Sequence, residues 1–195
     1  EPYQKFFFIC EGANTEVFYF KKLIDLRKKL GINPLIDICL LEKTEEDRAL
    51  SYPLQLYAYA QKQKTDPDIG FDLNRDKMVI VFDADIFEKR SPHYEELLKM
   101  AHESQDILAV TNPSFELFLL LHYEGSLESD ILPNAPAILE NAKEGNQTFV
   151  YRLLLNRSGM NSKKNPQIGT LAENIETAIL QEKGLTRISR NAMVN

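Results

Sequence analysis

Four short segments, made mostly of apolar, aromatic and β-branched residues, punctuate the first 111 residues of the chain. They span residues 5–10 (KFFFIC), 34–41, 78–82 (MVIVF) and 107–111 (ILAVT), and their continuous apolar character predicts buried strands. Stretches with helical periodicity follow them, at residues 14–30, 44–64, 91–104 and 115–123. Strands that alternate with helices in this way predict an α/β fold, with a four-stranded, mainly parallel sheet flanked by helices.

The pattern changes after Gly125. Residues 126–136 are typical of a loop, residues 147–155 and 170–183 predict helices, and residues 161–166 (NSKKNP) form a basic loop between them. We therefore expect an α/β domain over residues 1–125 and a mostly helical extension over residues 126–195 that packs on it.

Charge is divided unevenly along the 195 residues. Residues 1–145 carry 16 Lys and Arg against 26 Asp and Glu, whereas residues 146–195 carry 7 against 3. An acidic body with a basic end does not suit indiscriminate nucleic-acid binding, but it is compatible with an acidic metal site beside a basic docking surface. Chance clustering of charge is the alternative.

Several other classes of protein are disfavoured. No apolar run approaches the ~20 residues that cross a bilayer, so no membrane span is expected. Cys10 and Cys39 lie in apolar runs, which predicts buried free thiols in a reducing cytoplasm. The chain has no GxxxxGK[ST] phosphate loop, no GxGxxG and no GxSxG. His93 and His122 fall in predicted helices and are interpreted as surface residues or core partners.

Acidic side chains follow three predicted strands. Glu11 comes directly after the first, Asp83 and Asp85 close the third, and Ser114 and Glu116 follow the fourth. Ligands of parallel α/β sheets bind outside the carboxyl ends of the strands, so these groups should meet at one edge. Carboxylates gathered there repel one another unless a cation neutralises them, and hard oxygen ligands select Mg²⁺ or Mn²⁺.

Each of these residues also has a simpler interpretation. An acid after a strand is often a solvated loop residue or a helix cap, and Glu116 would favour the N-terminal dipole of its own helix. Glu16 on the first helix is interpreted as a surface or first-turn charge. Lys163 and Lys164 are candidates to contact phosphates, with a solvated basic loop as the alternative. The three strand ends taken together favour a site.

Three ordered blocks of residues resemble a known family. FICEGANTE (8–16) followed by Tyr19-Phe20, VFDAD (81–85) and NPSFELFLLLHY (112–123) are similar to segments of RloB-like proteins, and the Lys163-Lys164-Asn165-Pro166 loop resembles a weaker family feature. The last of the three long blocks is the most diagnostic, although Phe118 stands where the family usually has Trp. The resemblance covers about residues 5–124.

The resemblance implies a Toprim-type domain, which is a three-layer sandwich around a compact parallel sheet. By matching position, Glu11 would be the Toprim glutamate, and Asp83 and Asp85 the acidic pair that binds Mg²⁺. Ser114 and Glu116 would correspond, more weakly, to further metal-site groups of some Toprim nucleases. RloB-like genes are associated with restriction–modification loci, which implies a role in phage defence.

We therefore expect a Mg²⁺- or Mn²⁺-dependent phosphodiesterase that acts on DNA or RNA in the cytoplasm. Glu11, Asp83 and Asp85 would bind the metal and Glu116 would assist catalysis. Substrate contacts would come from Ser114, Lys163 and Lys164. Arg187 and Arg190 are additional candidates for backbone contacts.

Two alternatives remain open. One is a non-catalytic module that binds a nucleotide or a protein partner of a defence system, and the other is a small-molecule phosphatase with Asp83 as nucleophile. A homo-oligomer also remains open, and no membrane partner is expected.

Overall fold

A computed structural model describes the backbone of residues 3–47, 50–84 and 92–194, with side chains described over 3–47, 50–84 and 93–185. Its main sheet has four parallel strands, β1 (Gln4–Cys10), β2 (Ile36–Leu40), β3 (Lys77–Asp83) and β4 (Ile107–Thr111), in the order β2-β1-β3-β4. The two central strands, β1 and β3, have side chains covered on both faces. They therefore require apolar residues at almost every position, and they come from the most apolar segments of the sequence.

Helices cover both faces of this sheet. They are α1 (Thr15–Leu26), α2 (Pro53–Lys64), α3 (Pro92–Glu103) and α4 (Phe115–Leu120). Alternate residues of β3 enter two separate cores: Val79 and Val81 pack with α1, α4 and the later helices, whereas Met78, Ile80 and Phe82 pack with α2 and α3. The layers are therefore helix, sheet and helix, which confirms the predicted α/β fold class.

The second helix is shorter than the sequence predicted. Residues 44–47 form only a turn, in which the Thr44 hydroxyl donates to Asp47 Oδ2 at 2.7 Å, and α2 begins at Pro53. Proline lacks the amide hydrogen that a helix interior needs, but its fixed φ suits the first helical position. The predicted helix over residues 44–64 is therefore wrong at its start and right at its end.

The C-terminal half contains more regular structure than predicted. Residues 126–136, expected to be a loop, contain a π-helical turn (Leu127–Ile131), a 3₁₀ turn (Leu132–Asn134) and the start of α5 (Ala135–Glu140). A small antiparallel hairpin follows, with β5 (Lys143–Glu144) and β6 (Gln147–Thr148), so the helix predicted at residue 147 begins only as α6 (Phe149–Ser158). Its two-residue Gly145-Asn146 turn is a hairpin signal that the sequence interpretation missed.

The end of the chain packs back onto the first helix. A 3₁₀ segment (Pro166–Asn174) leads into α7 (Ile175–Val194), so the helix expected from Thr170 is α-helical only from Ile175. Ile168 and Ala172 are fully buried in the core that also holds Tyr19 of α1. The proposed division into two domains at residue 125 stays a prediction.

The structure bears on two further predictions, which concern the cysteines and the membrane. Cys10 is buried and Cys39 is half-buried, and both are free thiols. Within the described ranges, none of the helices combines the length and the apolar character needed to cross a membrane.

Gly169 of the 3₁₀ segment lies close to the backbone of α1. A Cβ atom at this position would lie 2.3 Å from the carbonyl oxygen of Phe18, which belongs to the helix backbone and cannot rotate away. We expect Gly169→Ala to lower the free energy of unfolding by about 1–3 kcal/mol, the usual cost of overpacking. Urea denaturation of both proteins would measure this loss.

Gly184 on α7 provides the matched control. A Cβ there would meet only the side-chain end of Leu127, at 3.0 Å, which can move aside. Because alanine favours a helix over glycine by about 1 kcal/mol, Gly184→Ala should be neutral or stabilising. Equal losses in the two variants would contradict a specific contact between Gly169 and the backbone of α1.

His122 is a core partner, one of the two positions expected for it. The side chain is 1% exposed, its Nδ1 lies 3.0 Å from the carbonyl oxygen of Phe118, and its Nε2 lies 2.9 Å from the Tyr19 hydroxyl. A carbonyl can only accept, so Nδ1 carries the hydrogen and Nε2 accepts from Tyr19. Burial lowers the pKa of His122 to about 4. The imidazole is therefore neutral in the folded protein at neutral pH.

This lowered pKa predicts a loss of stability in acid. The unfolded chain binds the proton below a pKa of about 6.5 and the folded chain only below about 4, so stability falls as the pH drops through that window, by about 3 kcal/mol in total. A Tyr19→Phe/His122→Phe variant keeps two aromatic rings and removes the titrating group. Denaturation at several pH values should show a wild-type-minus-variant difference that shrinks from pH 7 to pH 4. A constant difference would contradict the prediction.

Candidate functional site

The acidic ends of the two central strands lie next to each other. Glu11 follows β1 and its amide donates to the carbonyl oxygen of Val81 at 2.8 Å, while the amide of Asp83 donates back to Glu11 Oε2 at 3.0 Å. The parallel register sets this pairing, because Cys10 lies opposite Val81. Glu11 and Asp83, which the sequence placed at separate strand ends, are thus brought together at one edge of the sheet.

Two hydrogen bonds orient the Asp83 carboxylate. Its Oδ1 accepts the Thr111 hydroxyl at 2.5 Å and the Phe115 amide at 2.8 Å. Thr111 is the register partner of Asp83 on β4, and Phe115 opens α4. Both bonds go to Oδ1, so they fix the group without engaging its other oxygen.

The surroundings of Asp83 disfavour a negative charge. Burial raises the pKa of Asp83 to about 8, the hydrogen bond from Thr111 opposes this rise, and the charges of Glu16, Glu116 and Glu11 add to it. A carboxyl group whose charge is opposed by burial and by three other acids is in the situation that a bound cation relieves.

Glu16 joins this acidic group from the first turn of α1. It is 7% exposed, so the interpretation of Glu16 as a surface charge is wrong, although its first-turn position is right. Its Oε1 accepts the Gly12 amide at 3.2 Å, and a Cβ on residue 12 would lie 2.1 Å from its Oε2. Burial raises the pKa of Glu16, and the charge of Glu116 contributes to the rise. Glycine at position 12 leaves the space that this carboxylate occupies.

Ser114 and Glu116 approach from the start of α4, and both are buried. Glu116 Oε1 accepts the hydroxyl of Ser162 at 3.4 Å, a long bond from the loop after α6. Ser114 differs from its neighbours: among the described residues, its Oγ is the buried side-chain polar atom that has no hydrogen-bond partner. A buried hydroxyl without a partner is uncommon and calls for a ligand or a water.

These groups surround one cavity of about 370 Å³ at the carboxyl edge of the sheet. Its lining combines the acids and their neighbours with polar residues from the second half of the chain: Glu11, Gly12, Ala13, Asn14, Thr15, Glu16, Ser51, Asp83, Ser114, Phe115, Glu116, Lys143, Asn146, Thr148 and Lys163. Of the sequence-predicted residues, Lys164 is exposed and is not part of this lining, whereas its neighbour Lys163 is. Asp85 and the side chains of Arg187 and Arg190 lie outside the described residues.

Sequence reasoning missed several of these residues for different reasons. Glu16 had a signal, because it lies in the first turn of α1, directly after the short connection from β1 (residues 11–14). Thr111 also had one, because the last residue of a neighbouring strand lies beside the last residue of β3. Lys143 and Asn146 had none of this kind, since only the fold brings the hairpin to the cavity.

Lys43 brings a positive charge close to the backbone of Glu11. It follows β2, and its Nζ donates to the carbonyl oxygens of Glu11 at 2.5 Å and Leu50 at 2.8 Å. Burial lowers the pKa of Lys43, while the charges of Glu11 and Glu16 oppose that change. Lys43 therefore ties the end of β1 to the chain that leads into α2.

The donors at the cavity suit a hard divalent cation. Four carboxylates and a buried hydroxyl without a partner are the oxygen ligands that Mg²⁺ and Mn²⁺ prefer. Over residues 3–47, 50–84 and 93–185, however, no three His, Cys, Asp or Glu side chains are already arranged around a metal position. The oxygen ligands at the cavity fit the cation chemically. Asp85, the third predicted ligand, lies outside the described residues.

Fold and site together define a class of protein: a three-layer α/β sandwich with a carboxylate-lined cavity at the carboxyl edge of its parallel sheet. The chain matches the model of the RloB-like protein family over residues 6–193, nearly its whole length, and therefore belongs to that family. This confirms the family that the three sequence blocks indicated. No curated protein and no solved structure matches the chain.

Proposed function

We propose that this protein is a Mg²⁺- or Mn²⁺-dependent phosphodiesterase that cleaves nucleic acid. Four carboxylates around one cavity carry the proposal: Glu11, Glu16, Asp83 and Glu116. They are buried or half-buried, and the charges of Glu11, Glu16 and Glu116 add to the raised pKa of Asp83, which is costly for the fold unless the site binds positive charge. A divalent ion bound by such groups activates water and stabilises charge on a phosphodiester.

The residues of this chain would share the work. Glu11 and Asp83 would hold the cation, with Asp85 as the third ligand that the family resemblance implies. Glu16 and Glu116 would supply further carboxylate oxygens, and Glu116 would assist catalysis. The hydrogen bonds from Thr111 and Phe115 keep the Asp83 carboxylate in one orientation. A role in phage defence, with a defence-system protein as partner, rests on the family resemblance, and a cytoplasmic location rests on the two free cysteines.

Titration of Mn²⁺ into the protein by calorimetry tests the proposal directly. We expect the wild-type chain to bind the ion and Glu11→Gln to lose most of that binding while remaining folded by circular dichroism. Asp76→Asn is the matched control, because Asp76 is also buried but lies before β3, where it accepts the amides of Lys5 and Asp72. Wild-type binding in Glu11→Gln would contradict the assignment.

A non-catalytic binding module is the second candidate. It is favoured by the acidic composition of residues 1–145, which suits a protein that does not bind nucleic acid by itself. On this hypothesis the cavity would bind a nucleotide or a protein segment without cleaving it. The protein would then show no hydrolysis of DNA or RNA with Mg²⁺ or Mn²⁺, whether or not it binds the ion.

A further inference from the structure

The basic groups at the cavity come from a part of the chain separate from the acidic groups. Lys143 lies on the β5–β6 hairpin and Lys163 on the loop after α6, and both are exposed. Asn146 and Thr148 of the same hairpin also line the cavity. The acids, in contrast, all belong to residues 11–116. The cavity therefore has an acidic floor, formed by Glu11, Glu16, Asp83 and Glu116, and a basic rim, formed by Lys143 and Lys163.

Buried contacts fix this rim in relation to the floor. Ser162 is 1% exposed; its hydroxyl donates to Glu116 Oε1, and its carbonyl oxygen accepts the Thr15 hydroxyl at 3.2 Å. The Nζ of the adjacent Lys163 lies 5.6 Å from the ring centre of Tyr151. On the other side, Thr148 caps α6 by accepting the Tyr151 amide at 3.3 Å. The loop and the hairpin that carry the two lysines are thus joined through α6.

Ser114 indicates that a ligand belongs between floor and rim. The side chain is 5% exposed and lines the cavity, and its Oγ has no hydrogen-bond partner among the described residues. A bound oxygen-rich group, such as a phosphodiester, would satisfy it. This observation is independent of the charges.

The size of the cavity limits what can enter it. About 370 Å³ is at the small end of the range for small-molecule sites, which is room for about one nucleotide. Two paired strands do not fit, and a base inside a duplex would first have to be extruded at a cost of a few kcal/mol. A flexible single strand pays no such cost.

We infer that Lys143 and Lys163 form a phosphate clamp that holds one nucleic-acid strand over the acidic floor, so that the substrate is single-stranded. This inference rests on the proposed function and specifies its substrate class. Ser162 acts as a positioning residue, because it holds the Lys163 loop against Glu116. Lys164, which does not line the cavity, is outside the clamp.

Binding measured without cleavage tests the clamp. The probes are fluorescein-labelled single strands of DNA and RNA with one sequence that cannot pair with itself, and the corresponding DNA duplex. Anisotropy is recorded in Ca²⁺ buffer at several salt concentrations. Wild type should bind a single strand more tightly than the duplex. Lys143→Gln and Lys163→Gln should each weaken binding and reduce the slope of log K against log salt by about 0.7, the value per phosphate contact for single strands.

Lys164→Gln is the matched control, because it removes the same charge from the next residue. It should leave the slope nearly unchanged, and circular dichroism checks that all three variants fold. An equal loss in Lys164→Gln, tighter binding of the duplex, or no binding by wild type would overturn the clamp. Clamp-dependent binding without hydrolysis in Mg²⁺ or Mn²⁺ would support the clamp and refute only the proposed nuclease activity.

Discussion

An Asp83→Asn variant is expected to fold normally and to hydrolyse nucleic acid more than about a hundredfold more slowly than the wild-type chain. Changes to residues that only support a metal ligand cost about 10–100-fold, so the loss of a direct ligand should cost more. Folding should survive because an asparagine Oδ1 can still accept the bonds from Thr111 and Phe115. The measurement is the initial rate on single-stranded DNA and RNA with Mn²⁺.

The control for this variant is Asp76→Asn, which makes the same chemical change at the opposite end of β3. It removes a buried carboxylate that accepts two backbone amides, so it should lower stability and leave the rate per folded molecule unchanged. A wild-type rate in Asp83→Asn would remove the acidic floor from the mechanism. Equal loss of rate in both variants would mean that stability, not the site, controls activity.

The second large effect is expected far from the cavity. Lys64 at the end of α2 pairs with Asp106 before β4, with 2.5 Å between Nζ and Oδ1, and their side chains are 7% and 2% exposed. Asp106 Oδ2 also accepts Gln61 Nε2 and Ser104 Oγ, each at 2.7 Å. Asp106→Asn should lower the free energy of unfolding by about 3–5 kcal/mol, because it leaves the Lys64 charge buried without its counter-ion.

A double variant separates this cause from a general loss of packing. Lys64→Met removes the stranded charge while keeping an unbranched apolar side chain, so Asp106→Asn/Lys64→Met should recover most of the stability lost in Asp106→Asn. Guanidinium denaturation of the wild type, both single variants and the double variant gives the coupling energy. A double variant as unstable as Asp106→Asn would show that the hydrogen bonds to Gln61 and Ser104 matter more than the charge of Lys64.

The first half of the fold could be predicted because its signals are local. Each strand is a short apolar run that ends at a polar residue, and the parallel order of strands and helices leaves few arrangements. The start of α2 was misplaced because Thr44 and Asp47 form hydrogen bonds that are typical of a helix start. Here the same bonds form in a turn that is not followed directly by a helix. The second half was less predictable, since its 3₁₀ segment packs on α1 and its π turn packs on α7, and no local pattern records such contacts.

The candidate site could also be predicted only in part. The ends of parallel strands meet at one edge, so the meeting of Glu11 and Asp83 followed from their positions alone. The buried position of Glu16 depended on the space at Gly12, and the approach of Lys143 depended on a hairpin that begins 23 residues after the end of α4. Residues that join a site through long-range packing leave no trace in spacing.

The contact between Gly169 and Phe18 also has a consequence for synthesis. Chains emerge from the ribosome N-terminus first, at about 5–20 residues per second, and the first helix must wait for a segment made some 150 residues later. Until then the part of α1 that packs against the segment containing Ile168 and Ala172 is exposed to solvent. A nascent chain halted before residue 169 should therefore be a client for chaperones, and the acidic floor should acquire its basic rim only late in translation.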